Sequence, residues 1–201
     1  IRLSLVGSEM CIRDRWMTEF KKTSEFEQNV AEYTGVKNCI AVNNGTISLT
    51  LMALAAGINP GDEVIIPNYT MIATPNSIKM IGAVPIFADV EKETLCLDII
   101  EVEKIITPKT RAIILVTANG RYPKSGIGEF EILAKERNLI LLEDSAQSLG
   151  SFYPDGRHQG TAGLAGSFSF SAPKVISTGQ GGAIITNSDS CLLYTSDAAD
   201  E

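Results

Sequence analysis

Short apolar runs alternate with segments of helical periodicity along most of the chain, and this alternation is the strongest constraint on its fold. The predicted strands are continuously apolar, which is typical of parallel strands buried on both faces. A helix between successive strands lets each strand run parallel to the previous one. The sequence therefore predicts a three-layer α/β/α fold around a mainly parallel sheet. Predicted strands cover residues 39–42, 63–67, 84–90, 111–117, 139–142, 167–171 and 183–186, and predicted helices cover 24–33, 47–56, 75–81, 98–106 and 126–137.

Some element boundaries have specific signals. Ser24 followed by Glu27 fits a capping box at the start of the first helix, and Gly35 is suited to end that helix. Pro85 removes a backbone donor early in its strand, which predicts a position at the sheet edge or at the strand start.

Composition limits the classes of function. The 201 residues have a formal net charge of −7 and no basic stripe, which argues against binding to nucleic acid. No apolar run reaches the roughly 18 residues of a membrane span. The four cysteines lack CxxC spacing and there is a single histidine, so a zinc site is hard to assemble. We expect a reduced, cytoplasmic protein.

The two ends differ in character from the rest of the chain. Residues 3–15 (LSLVGSEMCIRDR) join no predicted element, and residues 190–201 (SCLLYTSDAADE) follow the last predicted strand with an unrelated composition. Both resemble translated adapter sequence of the kind found at the ends of reading frames from short-read assemblies; the alternative is an unusual native tail. We expect residues 1–15 to be a non-native leader and residues 190–201 a non-native tail.

One lysine, Lys174, stands among apolar and small residues, and a glycine cluster follows it at 179–182. An ammonium group in an apolar setting costs free energy, so burial there would favour the neutral amine. A neutral amine is the nucleophile that Schiff-base chemistry with a carbonyl needs. The alternative is a surface lysine in a glycine-rich turn.

Several polar or aromatic residues follow predicted strands, where ligands bind in sheets of this kind. Gly45 and Thr46 open a helix directly after a strand, and the free amides of that helix start could bind an anion. Asp144 ends a buried strand and could pair with a protonated pyridine nitrogen. The alternatives are an ordinary Asn-Gly turn at Gly45 and a helix-capping role for Asp144.

Three further residues are weaker candidates. Gln147 lies three residues after Asp144 and could flank the same ligand, or could be an exposed polar residue. Tyr69 follows a strand and could stack on a flat cofactor, although core packing is the commoner role of a lone tyrosine. Ser169 precedes Lys174 by five residues, so its hydroxyl could contact an anion near the amine, or it could be a routine strand serine.

Along the chain, the candidates follow the order of an anion-binding turn, an aromatic residue, a strand-end aspartate, and then a serine and a lysine. With these residues in this order, the chain resembles the nucleotide-sugar aminotransferases, the DegT/StrS type of fold-type I pyridoxal phosphate (PLP) enzymes. The resemblance covers about residues 16–189. It implies that this range is part of the large PLP-binding domain of an aspartate-aminotransferase-like fold. The matching segments are FEQNVAEYTGVKNCIAVNNGTISL, GDEVIIPNYTMIATPNSI, LLEDSAQSLG and GSFSFSAPKVISTGQGGAIITN.

The resemblance implies a role for each candidate residue. Lys174 corresponds to the lysine that forms a Schiff base with PLP and then moves a proton between the cofactor and the substrate carbon. Asp144 corresponds to the partner of the pyridine nitrogen, and Gln147 to the residue beside the ring oxygen. Tyr69 corresponds to an aromatic residue that stacks on the ring. The phosphate contacts correspond to Gly45, Thr46 and Ser169.

The chain departs from the family pattern at one segment and in its C-terminal part, and these departures affect the predicted substrate and activity. Residues 119–123 (NGRYP) stand where many members have a histidine-containing segment, and they resemble the variant of perosamine-synthase-like members. The resemblance thus suggests a nucleotide-linked keto-deoxysugar as amino acceptor, glutamate as amino donor, and a homodimer for the full-length protein. The smaller C-terminal domain of the family has no counterpart here, so we expect this chain to be a fragment that cannot catalyse transamination alone.

Two other functions stay open. A PLP- or pyridoxamine-phosphate-dependent sugar dehydratase would keep the fold, but such relatives replace the lysine with histidine, which Lys174 argues against. A non-enzymatic regulatory relative would bind the cofactor without turnover.

Overall fold

The computed structural model describes residues 21–191. The two segments predicted to be non-native lie outside these residues, except Ser190 and Cys191. Within the described range, no helix combines the length and the apolar character needed to cross a membrane. The helices are α1 (Lys21–Thr34), α2 (Gly45–Ala55), α3 (Ala73–Met80), α4 (Ile99–Ile105) and α5 (Ile127–Glu136). The strands are β1 (Asn38–Val42), β2 (Glu63–Pro67), β3 (Val84–Ala88), β4 (Thr110–Val116), β5 (Ile140–Asp144), β6 (Ala165–Ser169) and β7 (Gly182–Thr186).

The seven strands form a single sheet in the order β1-β7-β6-β5-β4-β2-β3. The pairs from β6 through β5, β4 and β2 to β3 are all parallel. Strand β7 runs antiparallel to its neighbours, β1 and β6. This arrangement confirms the predicted mainly parallel sheet, and it brings the carboxyl ends of β4, β5 and β6 to one edge.

Helices cover both faces of the sheet, which confirms the three-layer α/β/α architecture. On one face, α2 and α3 pack on alternate residues of the strands, such as Ile114 and Leu142. On the other face, α4 and α5 pack on the intervening residues, such as Ile113 and Leu141. Helix α1 covers the end of the sheet formed by β6, β7 and β1.

Two boundary predictions had different outcomes. Strand β3, which contains Pro85, lies at the sheet edge as predicted. The capping box was wrong, because α1 already includes Lys21 and Ser24 lies inside the helix. The Glu27 carboxylate instead accepts a hydrogen bond from the Ala41 amide at 2.7 Å, which ties α1 to β1.

The two carboxylates that end β5 point to opposite faces of the sheet, because side chains alternate along a strand. Glu143 is fully buried on the α4–α5 face. Its carboxylate accepts from the Tyr153 hydroxyl at 2.5 Å and from the amides of Gly160, Ala162 and Gly163 at 2.8, 2.6 and 2.7 Å. Burial raises the pKa of Glu143, and these four donors oppose that rise. The carboxylate therefore anchors the loop that leads from β5 to β6.

Replacing this anchor by its amide should destabilise the fold. In Glu143→Gln the side-chain NH2 would face at least one backbone N–H, which would leave that donor buried without an acceptor. We expect a loss of about 1–3 kcal/mol in the free energy of unfolding, measured by urea denaturation. The exposed Glu103→Gln is the matched control. Equal unfolding midpoints for the two variants would contradict the anchoring role.

Candidate functional site

A cavity of about 450 Å³ opens at the carboxyl ends of the three central strands, on the α2–α3 side of the sheet. The last residues of β4, β5 and β6 form its floor. The start of α2, the turn before α3 and the loop after β6 form its walls. Its lining residues are Asn44, Gly45, Thr46, Ile47, Leu49, Thr70, Met71, Ala73, Val116, Thr117, Asp144, Ala146, Gln147, Ser169, Ser171, Pro173, Lys174 and Gln180.

One end of the cavity is the N-terminus of α2. Asn44 caps this helix, its side chain accepting from the Ile47 amide at 2.9 Å. The first amides of a helix have no intrahelical partner and carry a partial positive charge, so this end can bind an anion. The hydroxyls of Thr46 and Ser169 line the same end.

Close backbone approach explains the glycine at the start of α2. A Cβ placed on Gly45 would lie 2.8 Å from the Cβ of Ser169, and a Cβ on Gly182 would lie 2.5 Å from the backbone of Asn44. Strands β6 and β7 therefore press against the helix start, which brings Ser169 beside Gly45. The predicted anion-binding trio of Gly45, Thr46 and Ser169 is assembled at one place.

Asp144, at the end of β5, is also part of the cavity lining and is almost fully buried. One carboxylate oxygen accepts from the Thr74 hydroxyl at 2.7 Å, and the other accepts from the Ala146 amide at 3.2 Å. Burial raises the pKa of Asp144, while these two hydrogen bonds and the charge of Lys174 act in the opposite direction. The carboxylate retains free acceptor sites for a cationic N–H group in the cavity.

Lys174 lines the same cavity and acts electrostatically on Asp144. It lies in the loop between β6 and β7, whose base is closed by hydrogen bonds between the backbones of Phe170 and Gly181 and of Ala172 and Gly179. The expected apolar burial of Lys174 is not observed within the described residues. Its side chain is half-buried, and the neighbouring Val175 is 75% exposed.

The amide of Gln147 has a defined orientation. Its Oε1 accepts from the Asn119 amide at 2.9 Å, and a backbone N–H can only donate, so the Gln147 NH2 is the group left for other partners. Asn119 adopts a left-handed conformation, with φ of 55°, in a short 3-10 turn after β4. Gln147, which lines the cavity, can therefore act as a donor there.

Tyr69 differs from the other sequence candidates. Its side chain is 48% exposed and is not among the described residues that line the cavity. Thr70 and Met71 form that part of the wall. The structure thus brings together six of the seven candidates, Lys174, Asp144, Gln147, Gly45, Thr46 and Ser169, and leaves Tyr69 outside the lining.

These polar groups suit a ligand that carries both an anionic group and a cationic ring N–H. A phosphate at the α2 N-terminus and a pyridinium at Asp144 meet these requirements, with the Lys174 amine available to an aldehyde. PLP therefore fits the residues that are present. No cluster of three or more residues suited to hold a metal ion occurs among residues 21–191.

Several cavity residues have no signal in the sequence. Met71, Ser171 and Gln180 lie in loops, where no periodicity marks them. Thr70 lies in the turn before α3 and Thr74 in its first turn, so their contact depends on the shape of that turn and has no helical spacing to predict it.

Solved structures share this fold. DesI, solved in the presence of its TDP-sugar product, matches with a TM-score of 0.87 and 34% identity, covering 98% of this chain and 49% of that chain. NtdA of Bacillus subtilis, solved with bound cofactor PMP, matches with a TM-score of 0.85 and 28% identity, covering 95% of this chain and 42% of that chain.

The sequence comparison agrees with the structural one. GDP-perosamine synthase of Caulobacter vibrioides is 41% identical over 180 residues, which are 89% of this chain and 48% of that protein. The chain spans about half the length of the curated relatives it matches. The sequence pattern of the DegT/DnrJ/EryC1/StrS aminotransferase family matches residues 7–194. The chain belongs to this aminotransferase family.

Proposed function

We propose that the full-length protein is a PLP-dependent aminotransferase that transfers an amino group to a nucleotide-linked keto-deoxysugar. The observation that supports this most is that Lys174 and Asp144 line one cavity beside the anion-binding start of α2. The family membership and the GDP-perosamine synthases at about 40% identity agree with it.

Each cavity residue has a defined part in this proposal. PLP, when bound, supplies the electron sink that lets an amino group move from donor to acceptor. Gly45, Thr46 and Ser169 hold the phosphate, and Asp144 holds the proton on the ring nitrogen. Gln147 donates its NH2 to the ring oxygen, because its own oxygen is already occupied by the Asn119 amide. The Lys174 Nζ would bind the aldehyde carbon of the cofactor and, when released from it as a free amine, would take and return a proton at the substrate carbon.

The proposal also includes the amino acceptor, the amino donor and the cellular location. A GDP-linked 4-keto-6-deoxyhexose as acceptor and glutamate as donor agree with the NGRYP segment at 119–123 and with the perosamine synthases. A cytoplasmic location agrees with the free thiols of Cys39 and Cys96 among the described cysteines.

A homodimer is also part of the proposal. Apolar side chains near the cavity are exposed in the single chain: Met71 by 61%, Ile72 by 66%, Val175 by 75% and Ile176 by 52%. Exposed apolar clusters of this kind favour a protein partner. A second copy packed there would also cover the half-buried Lys174.

Lys174→Ala tests the covalent role. We expect the full-length variant to lose transamination and to release all cofactor on denaturation after borohydride reduction, whereas the wild type retains it covalently. The control is Lys135→Ala, in α5 on the other face of the sheet. Covalent cofactor retained in Lys174→Ala would refute the proposal, and loss of a sugar hydroxyl without gain of an amine in the wild type would indicate a dehydratase instead.

Gly45→Ala tests the phosphate site. The added methyl group meets the Cβ of Ser169 and displaces the helix start from the strand, which costs about 1–3 kcal/mol. We expect the Kd for PLP to rise about tenfold or more, measured by fluorescence titration. Affinity for pyridoxal, which lacks the phosphate, should change much less. The control is Gly128→Ala in α5, where an added Cβ meets nothing within 4 Å. Equal losses for both ligands would place the phosphate elsewhere.

A pair of variants tests the ring-stacking role of Tyr69. Because Met71 lines the cavity and Tyr69 does not, we expect Met71→Ala to weaken PLP binding by about threefold to tenfold, and Tyr69→Ala to weaken it less. The same titration measures both. A larger effect of Tyr69→Ala would restore the stacking role that the sequence predicts.

A further inference from the structure

Two threonines connect the cavity wall to the buried carboxylate. The Thr74 hydroxyl donates to an Asp144 carboxylate oxygen at 2.7 Å, and the Thr70 and Thr74 hydroxyl oxygens are 2.8 Å apart. Thr74 is fully buried at the start of α3, whereas Thr70 is half-buried and lines the cavity. The three side chains form a continuous path from the cavity to the back of Asp144.

The direction of the hydrogen bonds in this path follows from the number of protons. An ionised carboxylate can only accept, and a threonine hydroxyl has one proton to give. Thr74 gives its proton to Asp144, so Thr70 must donate to Thr74. With Asp144 ionised, the chain therefore runs from Thr70 through Thr74 to Asp144, and each hydroxyl stabilises the negative charge.

This support also fixes the position of the carboxylate. One oxygen is held by Thr74 and the other by the Ala146 amide, so rotation of the carboxylate would break both bonds. The remaining acceptor sites then stay directed to ligands in the cavity. The positive charge of Lys174, which lines the same cavity, also favours the ionised form of Asp144, but Lys174 is half-buried and lies on a loop. Thr74 lies in the first turn of a helix packed on the sheet, and Thr70 lies in the turn that precedes this helix.

We propose that Thr74 is a positioning residue, which keeps Asp144 ionised and oriented toward the ring nitrogen of the cofactor, with Thr70 as the second member of the chain. The part that concerns the cofactor rests on the proposed function. The part that concerns the ionisation of Asp144 does not rest on it, because the hydrogen bonds among the three side chains need no bound ligand.

The test uses the full-length protein with Thr74→Val, which keeps the shape and removes the hydroxyl, and Thr74→Ser, which restores it. The first measurement is a carbon-13 NMR titration of the Asp144 carboxyl group without PLP. We expect its titration to move to higher pH in Thr74→Val and to return toward the wild type in Thr74→Ser. Thr34→Val is the matched control, since Thr34 is also buried but donates to the carbonyl of Val30 in α1.

The second measurement is PLP affinity together with the pH dependence of the absorbance of the bound cofactor. We expect the Kd for PLP to rise about tenfold in Thr74→Val, as for a lost hydrogen bond to a charged group, and the absorbance transition to shift in pH. Thr34→Val should change neither. A merely structural role for Thr74 would lower stability without moving either the titration or the absorbance transition.

The outcomes separate the two proposals. If the wild type does not bind PLP, the proposed function fails, and the titration of Asp144 still decides the role of Thr74. If Thr74→Val does not fold, Thr70→Val serves instead, and a smaller shift in the same direction is expected. An Asp144 titration that is the same in the wild type and in the variants that fold would overturn the inference.

Discussion

The buried carboxylate of Asp144 is the interaction on which the site depends. Removing a carboxylate from water costs several kcal/mol unless donors and a counter-charge compensate it. Here Thr74 and the Ala146 amide supply donors from the protein, and Lys174 supplies positive charge across the cavity. A cationic ring nitrogen would complete the compensation. The environment of Asp144 by itself therefore favours a ligand with a protonated ring nitrogen.

The sheet register places this carboxylate beside the anion site. Asp144 pairs with Ser167 on β6, two residues before Ser169, and the start of α2 lies against Ser169. Parallel strands with a common carboxyl edge thus put an acceptor and an anion-binding helix end in the lining of one cavity. The neighbouring Glu143 points to the other face, where it holds the β5–β6 loop. Two adjacent acidic residues have different tasks because strand side chains alternate.

The sequence predicted most of this arrangement, for physical reasons that can be named. Continuous apolar runs and the position of Pro85 are visible in the order of the residues, so the parallel sheet and its edge strand could be predicted. Residues that follow strands meet at one edge, so Asp144 and Gly45 could be expected close together.

Tertiary contacts carry no such local signal. Glu27 fits a capping box, but its carboxylate bonds to the Ala41 amide of a neighbouring strand. Met71 and Tyr69 are two residues apart, and only the turn before α3 decides which of them lines the cavity.

The half-buried position of Lys174 also determines how variants of the site should be interpreted. Lys174 and Asp144 influence each other electrostatically, so the removal of either charge changes the environment of the other. In Lys174→Ala, Asp144 loses part of its compensation and relies more on Thr74. The effects of Lys174→Ala and Thr74→Val on Asp144 should therefore not add, and a double-mutant cycle would measure their coupling. Because solvent screens a half-buried lysine, the interaction between Lys174 and Asp144 is weaker than an interaction between two buried charges. The hydroxyl at Thr74 is thus the more dependable support for the carboxylate.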